Sequence, residues 1–423
     1  MEATIKKKID KKVLRSPFVM QLLFIMFFVE FVKGALIITF LPVYMETILG
    51  ATGLVIGWTL AVQYIGDNLL RTPIGWVIDR IGYRIVMLGG VISTFASVGI
   101  LASTSNFYWI IVACALLGIG TAPLWPCVIT GTTEIAGEDS RGTIMSVVYM
   151  AWLGGVGLGP FVITYFMSGT YGTAFRLLIG MMVAVVLVAL FLPGHRKGGQ
   201  LEENGGGNRE NAHGQAQPAK RSRMDRIRSY LSEARRSMTL SPLMFPAMFA
   251  QTFALGLLTP VLTLYALNEL HLTNSQFRLF LLAGGAVTVL FLIPVGKLVD
   301  RFGTKWFLHI GFLLSSAVLL TFTFVRDLNL LFVLVALLGI GYALIIPSWN
   351  ALIAAAIPPE KRGAVWGFFL TIEGLGTTIG PIVSGKLWDL FRPHGPFVAS
   401  GIVLFVLMIV HWVISQERKV LLR

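Results

Sequence analysis

The sequence predicts an all-α membrane protein, with twelve spans arranged as two pseudo-symmetric six-helix halves. Three observations carry this. The 423 residues are 55% hydrophobic and 13% charged, against about a quarter charged in a soluble globular chain, and the mean hydropathy is +0.77. Such a chain has too little polar surface to face water on all sides. Twelve apolar runs also reach the roughly 20 residues that a bilayer-spanning helix needs. Finally, several short motifs recur along the chain at one fixed separation.

The runs lie at residues 17–45, 53–78, 85–104, 107–131, 142–167, 172–193, 241–268, 275–299, 306–325, 329–355, 363–388 and 395–414. Several exceed the minimum length, as tilted spans do. The basic stretch Met1 to Arg15 precedes the first run, which is too long and, with Glu30 and Lys33, too polar for a cleaved signal core. It is read as a retained span. With the N-terminus inside, 27 of the 34 basic residues fall in segments on one side of the membrane. That asymmetry places both termini in the cytoplasm of a multi-pass cell-membrane protein. The net charge of +13 is scattered over short loops rather than gathered on one face, so no nucleic-acid partner is expected. Cys114 and Cys127 share one apolar run and stand too far apart to pair, so no disulfide framework or thiol–metal site is implied.

The repeat sets the domain organisation. Gly75-x-x-x-Asp79-Arg80-x-Gly82-x-Arg84 returns as Gly296-x-x-x-Asp300-Arg301-x-Gly303-x-Lys305. Leu116 to Gly120 returns as Leu337 to Gly341, Arg141-Gly142 as Arg362-Gly363, and Gly159-Pro160 as Gly380-Pro381. The offset is 221 residues each time, which divides the chain into a half over 1–193, a cytoplasmic linker over 194–240 and a half over 241–423. Through about Ala219 the linker has a disordered composition. From Arg221 to Met238 apolar residues recur at helical spacing between arginines, the pattern of a basic amphipathic helix on anionic inner-leaflet lipids; a merely solvated basic linker is the alternative.

In the loop motif, Gly75 is expected to let helices approach and Gly82 to make the turn. Asp79 can accept bonds from cations or a helix N-terminus, and Arg80, Arg84, Asp300 and Arg301 complete a cytoplasmic gate. Gly155, Gly159 and Pro160 form a Gly-x-x-x-Gly-Pro element that allows close helix contact and bending. Ionisable residues inside a membrane are functional candidates by default. Glu30 and Lys33 share a face of the first run, and Asp67 and Arg71 a face of the second. Together they make either a network in which Glu30 or Asp67 exchanges a proton or a fixed ion-pair cluster. Their repeat partners are Gln251, Ala254, Thr288 and Leu292, so a charged first-half cavity faces a nearly uncharged one. Glu373, at the repeat position of Trp152, is either cavity-lining or structural, and His309 reads as a packing or interface histidine. Trp125, Trp152, Trp349 and Trp366 supply stacking faces for sugars or cations, or simple packing.

The loop motif matches the major facilitator signature, the Gly155, Gly159 and Pro160 element resembles the motif of antiporting members of that superfamily, and a closer resemblance lies beside them. Val29-Glu30-Phe31-Val32-Lys33-Gly34, Asp67, Ala122-Pro123-Leu124-Trp125, Tyr149 to Gly154, Ile346 to Asn350 and Trp366-Gly367 resemble the lipoteichoic-acid anchor glycolipid flippases of Gram-positive bacteria. The resemblance covers nearly the whole chain. It implies the major facilitator fold and a proton-coupled antiporter that moves a diacylglycerol-linked disaccharide to the outer leaflet. Glu30 and Asp67 would couple protons, and Lys33 would line the polar cavity with them. Trp125 and Trp152 would stack on the headgroup, and the apolar half would hold lipid tails. The sequence departs from the family pattern in Lys33, where Arg is expected and bidentate geometry is lost, and in its long basic linker.

The competing readings are a proton-driven exporter of amphipathic drugs or other small molecules and a non-transporting receptor or scaffold, for which buried ionisable residues have no evident use. No metal cluster, phosphate loop or nucleophile–base pair points to an enzyme. No cofactor is expected, and the chain is expected to act as a monomer.

Overall fold

The computed structural model describes residues 16–136, 141–167, 171–193, 243–356 and 362–421. They form twelve helical rods, with no strand among the described residues. We number them α1 (Pro17–Thr47), α2 (Gly53–Ile81), α3 (Tyr83–Ser103), α4 (Phe107–Thr121 continued by Leu124–Ala136), α5 (Arg141–Ile163) and α6 (Tyr171–Leu190). The second set is α7 (Met244–Glu269), α8 (Asn274–Phe302), α9 (Lys305–Phe322), α10 (Leu328–Ala356), α11 (Arg362–Phe391) and α12 (His394–Leu421). Each matches an expected run. α5 ends a turn earlier than its apolar stretch, and α12 runs on through polar residues. The linker, including the amphipathic stretch 221–238, lies outside the described residues.

Local chemistry fixes the rod ends. Pro17 opens α1, where its missing N–H has no intrahelical partner to lose. Thr52 caps α2 through Val55 N, and Thr273 with Gln276 makes a reciprocal capping box on α8. α2 and α8 end at Gly82 (φ 85°) and Gly303 (φ 82°), whose N–H groups each donate to a carbonyl one turn back at 2.8 Å. Only glycine adopts this left-handed backbone without strain. The turn expected of Gly82 is therefore made, twice, at the repeat offset.

The internal symmetry extends to packing. In the first set α1 packs on α5, α2 on α4, and α3 on α4 and α6; in the second α7 packs on α11, α8 on α10, and α9 on α10 and α12. The helix crossings use small residues at matched positions. A methyl on Gly120 would strike Thr94 Oγ1, and one on Gly341 would strike Ser315 Oγ. Outward faces carry large exposed apolar residues, such as Phe191, Leu290 and Ile293, as a lipid-facing surface does. Among the described residues nine rods are long and apolar enough to cross a membrane; α2, α5 and α11 fall short of that measure. Those three carry most of the contact between the sets. The halves meet closely along α2 and α11 and only slightly along α5 and α8.

The bundle is closed at one end. At the end bearing residues 48–52 and 392–393, Asp389 Oδ1 and Oδ2 accept the backbone N–H groups of Gly53 (2.6 Å) and Leu54 (2.9 Å), capping α2 from the other half. Glu46 accepts bonds from Asn268 and from Trp388 Nε1 (3.2 Å), and Arg392 lies 3.8 Å from it. The Arg278 guanidinium sits 3.8 Å over the Tyr165 ring. A methyl on Gly57 or Gly385 would collide with the opposing backbone. At the other end, methyls on Gly75 and Gly296 would meet nothing within 4 Å. The close approach expected of Gly75 is not made among the described residues, and this end is the more open one there.

Candidate functional site

The site begins where α1 loses regular winding. Glu30 and Lys33 occupy the last α-helical turn before a π-helical segment, Ala35–Phe40, a local widening of the helix frequent at functional sites. α5 seats that turn. A methyl on Gly155 would lie 3.0 Å from Phe31 N and 3.1 Å from Glu30 Cβ, and one on Gly159 would strike Phe31 O. Gly34 in turn approaches Val156 O and Pro160. The small-residue motif therefore presses α1 against α5 at the charged turn. Across the half, Gly66 and Gly118 bring α2 onto α4 beside Asp67.

The four charges meet. Lys33 Nζ donates to Asp67 Oδ2 at 2.7 Å and lies 3.7 Å from Glu30 Oε2. Arg71 Nε and Nη2 both donate to Asp67 Oδ1 at 3.3 Å. Glu30 and Asp67 are 1% and 2% exposed, so neither carboxylate has water to fall back on. Their holds differ. Asp67 is clasped by two cations, whereas Glu30 Oε2 has no hydrogen-bond partner among the described residues. Glu30 is the more loosely held of the two. Tyr64 stands within electrostatic reach of the cluster and against Thr259 of α7.

α4 and α5 also build an aromatic wall. α4 breaks at Ala122 and Pro123, and Trp125 is the second residue of its second piece. The counterpart of Pro123 is Leu344, where α10 runs unbroken, so the proline makes the break. Trp125 lies 5.3 Å from Tyr149 and 5.7 Å from Trp152, ring centre to ring centre. Glu373 of α11 comes within electrostatic reach of Tyr149 from the other half. Its Oε1 accepts the Trp349 indole N–H at 3.4 Å. Trp349 itself is buried edge-on against Phe312. Asn68 reaches across to Gly374 O and Thr377 Oγ1, both at 3.4 Å.

A different space opens between the halves. A cavity of about 320 Å³ is lined mostly by the second half, with Leu258 and Leu262 of α7, Gly284 of α8, and Leu338 and Tyr342 of α10, and is closed off by Ile38 of α1 and Val156 of α5. Thr288, counterpart of Asp67, also lines it and gives its hydroxyl hydrogen to Gly284 O and Gly339 O.

The loop residues sit apart from this centre, at the open end. Arg84 Nη2 donates to Leu190 O at 3.1 Å, tying α3 to the end of α6. Arg80, Asp300 and Arg301 are exposed, and Arg301 lies 5.2 Å from the Phe302 ring. The side chains of Asp79 and Trp366 lie outside the described residues. His309 is buried near the same end, its ring 4.7 Å from His411 and 5.0 Å from Trp412. Cys114 and Cys127 are buried free thiols. Among the described residues no group of three or more His, Cys, Asp or Glu side chains could hold a metal ion.

Tyr149 lies in a stretch that carries the family resemblance, but its place in the wall is visible only in the structure. Asn68 and Asp389 carry no sequence signal, since their partners lie more than 300 residues away.

The chain is similar to known transporters. The chain is 25% identical over 396 residues to the proton-coupled antiporter flippase LtaA of Staphylococcus saprophyticus, covering 92% of each. To the LtaA of Staphylococcus aureus it is 22% identical over 408 residues, 94% of this chain and 95% of that one. Among solved structures, the nucleoside transporter NupG superposes with a TM-score of 0.74 at 15% identity, over 94% of this chain and 99% of that one. A bacterial homologue of the lysosomal transporter Spinster gives 0.71 at 14%, over 96% and 97%. The Major Facilitator Superfamily model matches residues 23–243 and 244–421. This chain is therefore a multi-pass membrane transporter belonging to the Major Facilitator Superfamily.

Proposed function

We propose that this transporter is a proton-coupled antiporter that flips a diacylglycerol-linked disaccharide, the lipoteichoic-acid anchor glycolipid, from the inner to the outer leaflet of the cell membrane by alternating access. One observation carries the reading: the central site is uneven. Its first half offers buried acids, Lys33 and an aromatic wall of Trp125, Tyr149 and Trp152, while its second half offers an apolar cavity. A sugar headgroup on acyl chains has that same division. The relatives named as proton-coupled flippases support it, as does Glu30, buried and weakly held.

In this reading the halves over 1–193 and 241–423 rock about the site, with 194–240 as a linker whose basic residues meet anionic inner-leaflet lipids. The chain works as a monomer with both termini cytoplasmic. The closed end is then the outer one and the open end the cytoplasmic one, so the site receives substrate from the inner leaflet. Trp349 and Glu373 form the second half's polar edge toward the headgroup, and the loop residues gate the inner end.

A second reading, export of amphipathic cations, is favoured by Glu373 standing near Tyr149 and the tryptophans. One assay separates them. The protein is reconstituted in liposomes with fluorescent gentiobiosyl-diacylglycerol, and leaflet transfer is measured with and without a proton gradient. Gradient-dependent transfer is expected. No transfer, together with pumping of a lipophilic cation, would replace the flippase with the exporter.

A further inference from the structure

Gln63 stands on α2 one helical turn from Asp67, on the side of the closed end. Its side chain is fully buried, and neither Oε1 nor Nε2 has a hydrogen-bond partner among the described residues. A buried carboxamide with both ends unserved destabilises the conformation that contains it. Its neighbours along α2 are bonded elsewhere in this conformation. Thr59, one turn further, gives its hydroxyl hydrogen to Val55 O, Asp67 is taken by Lys33 and Arg71, and Gly118 of α4 packs on the Gln63 backbone.

The repeat shows that this place is not ordinary core. The counterpart of Gln63 is Gly284, which lines the apolar cavity together with Thr288 and Gly339, the counterparts of Asp67 and Gly118. At one and the same position the second half is hollow and apolar, while the first half carries a large polar group with unused bonding capacity.

We propose that Gln63 is a positioning residue for proton exchange, serving the state in which the cluster has taken up a proton. This deepens the proton-coupled reading and rests on it. When a proton binds the Glu30–Asp67 pair, one negative charge disappears. Lys33 then loses part of its hold, and the new carboxyl O–H needs an acceptor. Gln63 supplies both missing parts from one side chain. Oε1 accepts from the displaced Lys33 ammonium or from the carboxyl O–H, and Nε2 donates to the carboxylate that stays charged. Lys33 keeps its own proton throughout, only a carboxyl O–H forms, and the same proton leaves on the reverse step. The other titratable groups in reach of the cluster are Tyr64 and Arg71 on α2, and Arg71 already holds Asp67.

The test uses Gln63→Leu, which keeps volume and removes both polar atoms. In reconstituted protein without substrate, the infrared band of protonated carboxyls is followed as pH falls. Gln63→Leu should shift the titration midpoint of the cluster down by about one pH unit, a roughly tenfold weaker hold on the proton. Thermal stability should be unchanged or raised, because an unserved amide has gone. Gln63→Asn should fall between the two, and Gln63→Met should behave as Leu. An unchanged midpoint in folded Gln63→Leu or Gln63→Met overturns the proposal. If wild-type protein shows no carboxyl titration from the cluster, the proton-coupled reading falls instead. If it titrates and Gln63→Leu shifts it but no glycolipid moves, the role of Gln63 stands and the substrate is wrong.

Discussion

At the scale of single residues, Lys33 is the hub of the site. It is the one side chain that touches both buried acids, and the two acids differ because of it: Asp67 shares it with Arg71, whereas Glu30 has only a 3.7 Å approach. Removing one partner of a buried ion pair typically costs about 3–5 kcal/mol, because the other charge is left without water or counter-ion. Lys33→Met should therefore lower the thermal unfolding midpoint strongly, and adding Glu30→Gln should recover part of it, since one stranded charge is then gone. If the double variant is no more stable than the single one, Glu30 is not electrostatically joined to Lys33. Trp125→Ala should leave stability nearly intact, because the ring is only half-buried. It should weaken disaccharide binding by the roughly 0.5–1.5 kcal/mol that an aromatic face contributes; calorimetric titration with the headgroup checks it, and unaltered affinity would remove Trp125 from the site. The charged residues were legible in the sequence because ionisable side chains inside apolar runs stand out. Their pairing was legible only in part. Helical spacing put Glu30 beside Lys33 and Asp67 beside Arg71, but nothing in it joined Lys33 to Asp67 across two helices. Gln63 escaped notice because it is uncharged.

At the scale of elements, spans and repeat were readable because each rests on a local signal: apolar length for the rods, a constant offset for the halves. What escaped notice were the irregularities. The π-helical segment after Lys33 has no composition of its own, and the break at Pro123 shows only by comparison with Leu344. Both nonetheless decide where functional side chains sit. The glycines of α5 give a sharp test of this placement. A methyl on Gly159 would strike Phe31 O, whereas one on Gly157, two residues away on the same helix, would meet nothing within 4 Å. Overpacking of this kind typically costs about 1–3 kcal/mol. Gly159→Ala should thus lower thermal stability and disturb proton coupling together, because α1 carries Glu30 and Lys33 at the point displaced. Gly157→Ala should change neither. Equal effects from both variants would mean that helix propensity, not the α1–α5 contact, sets the outcome.

At the scale of the whole molecule, alternating access requires the closed end to be held firmly enough to exist and weakly enough to open. One contributor is identifiable from geometry. Asp389 reaches from α11 to the first two N–H groups of α2, at 2.6 and 2.9 Å, where the helix presents unsatisfied donors and its positive end. Capping bonds of this type contribute about 0.5–2 kcal/mol. Arg392 is 65% exposed and sits 3.8–4.0 Å from its acids, so its pairs contribute little in water. The two therefore predict different outcomes. Spin labels on Ile48 and Leu390, both exposed at this end, would report the distance between the halves. Asp389→Ala should move population from the short to the long distance, by up to about thirtyfold in the ratio for the upper end of that range, while Arg392→Ala should leave it nearly unchanged. The effect should persist in high salt for Asp389, because its bonds go to backbone dipoles at contact distance, and any residual effect of Arg392 should vanish there. A short-distance population indifferent to Asp389→Ala would shift the closure onto the backbone contacts of Gly53, Gly57 and Gly385, which larger side chains at those positions would then open.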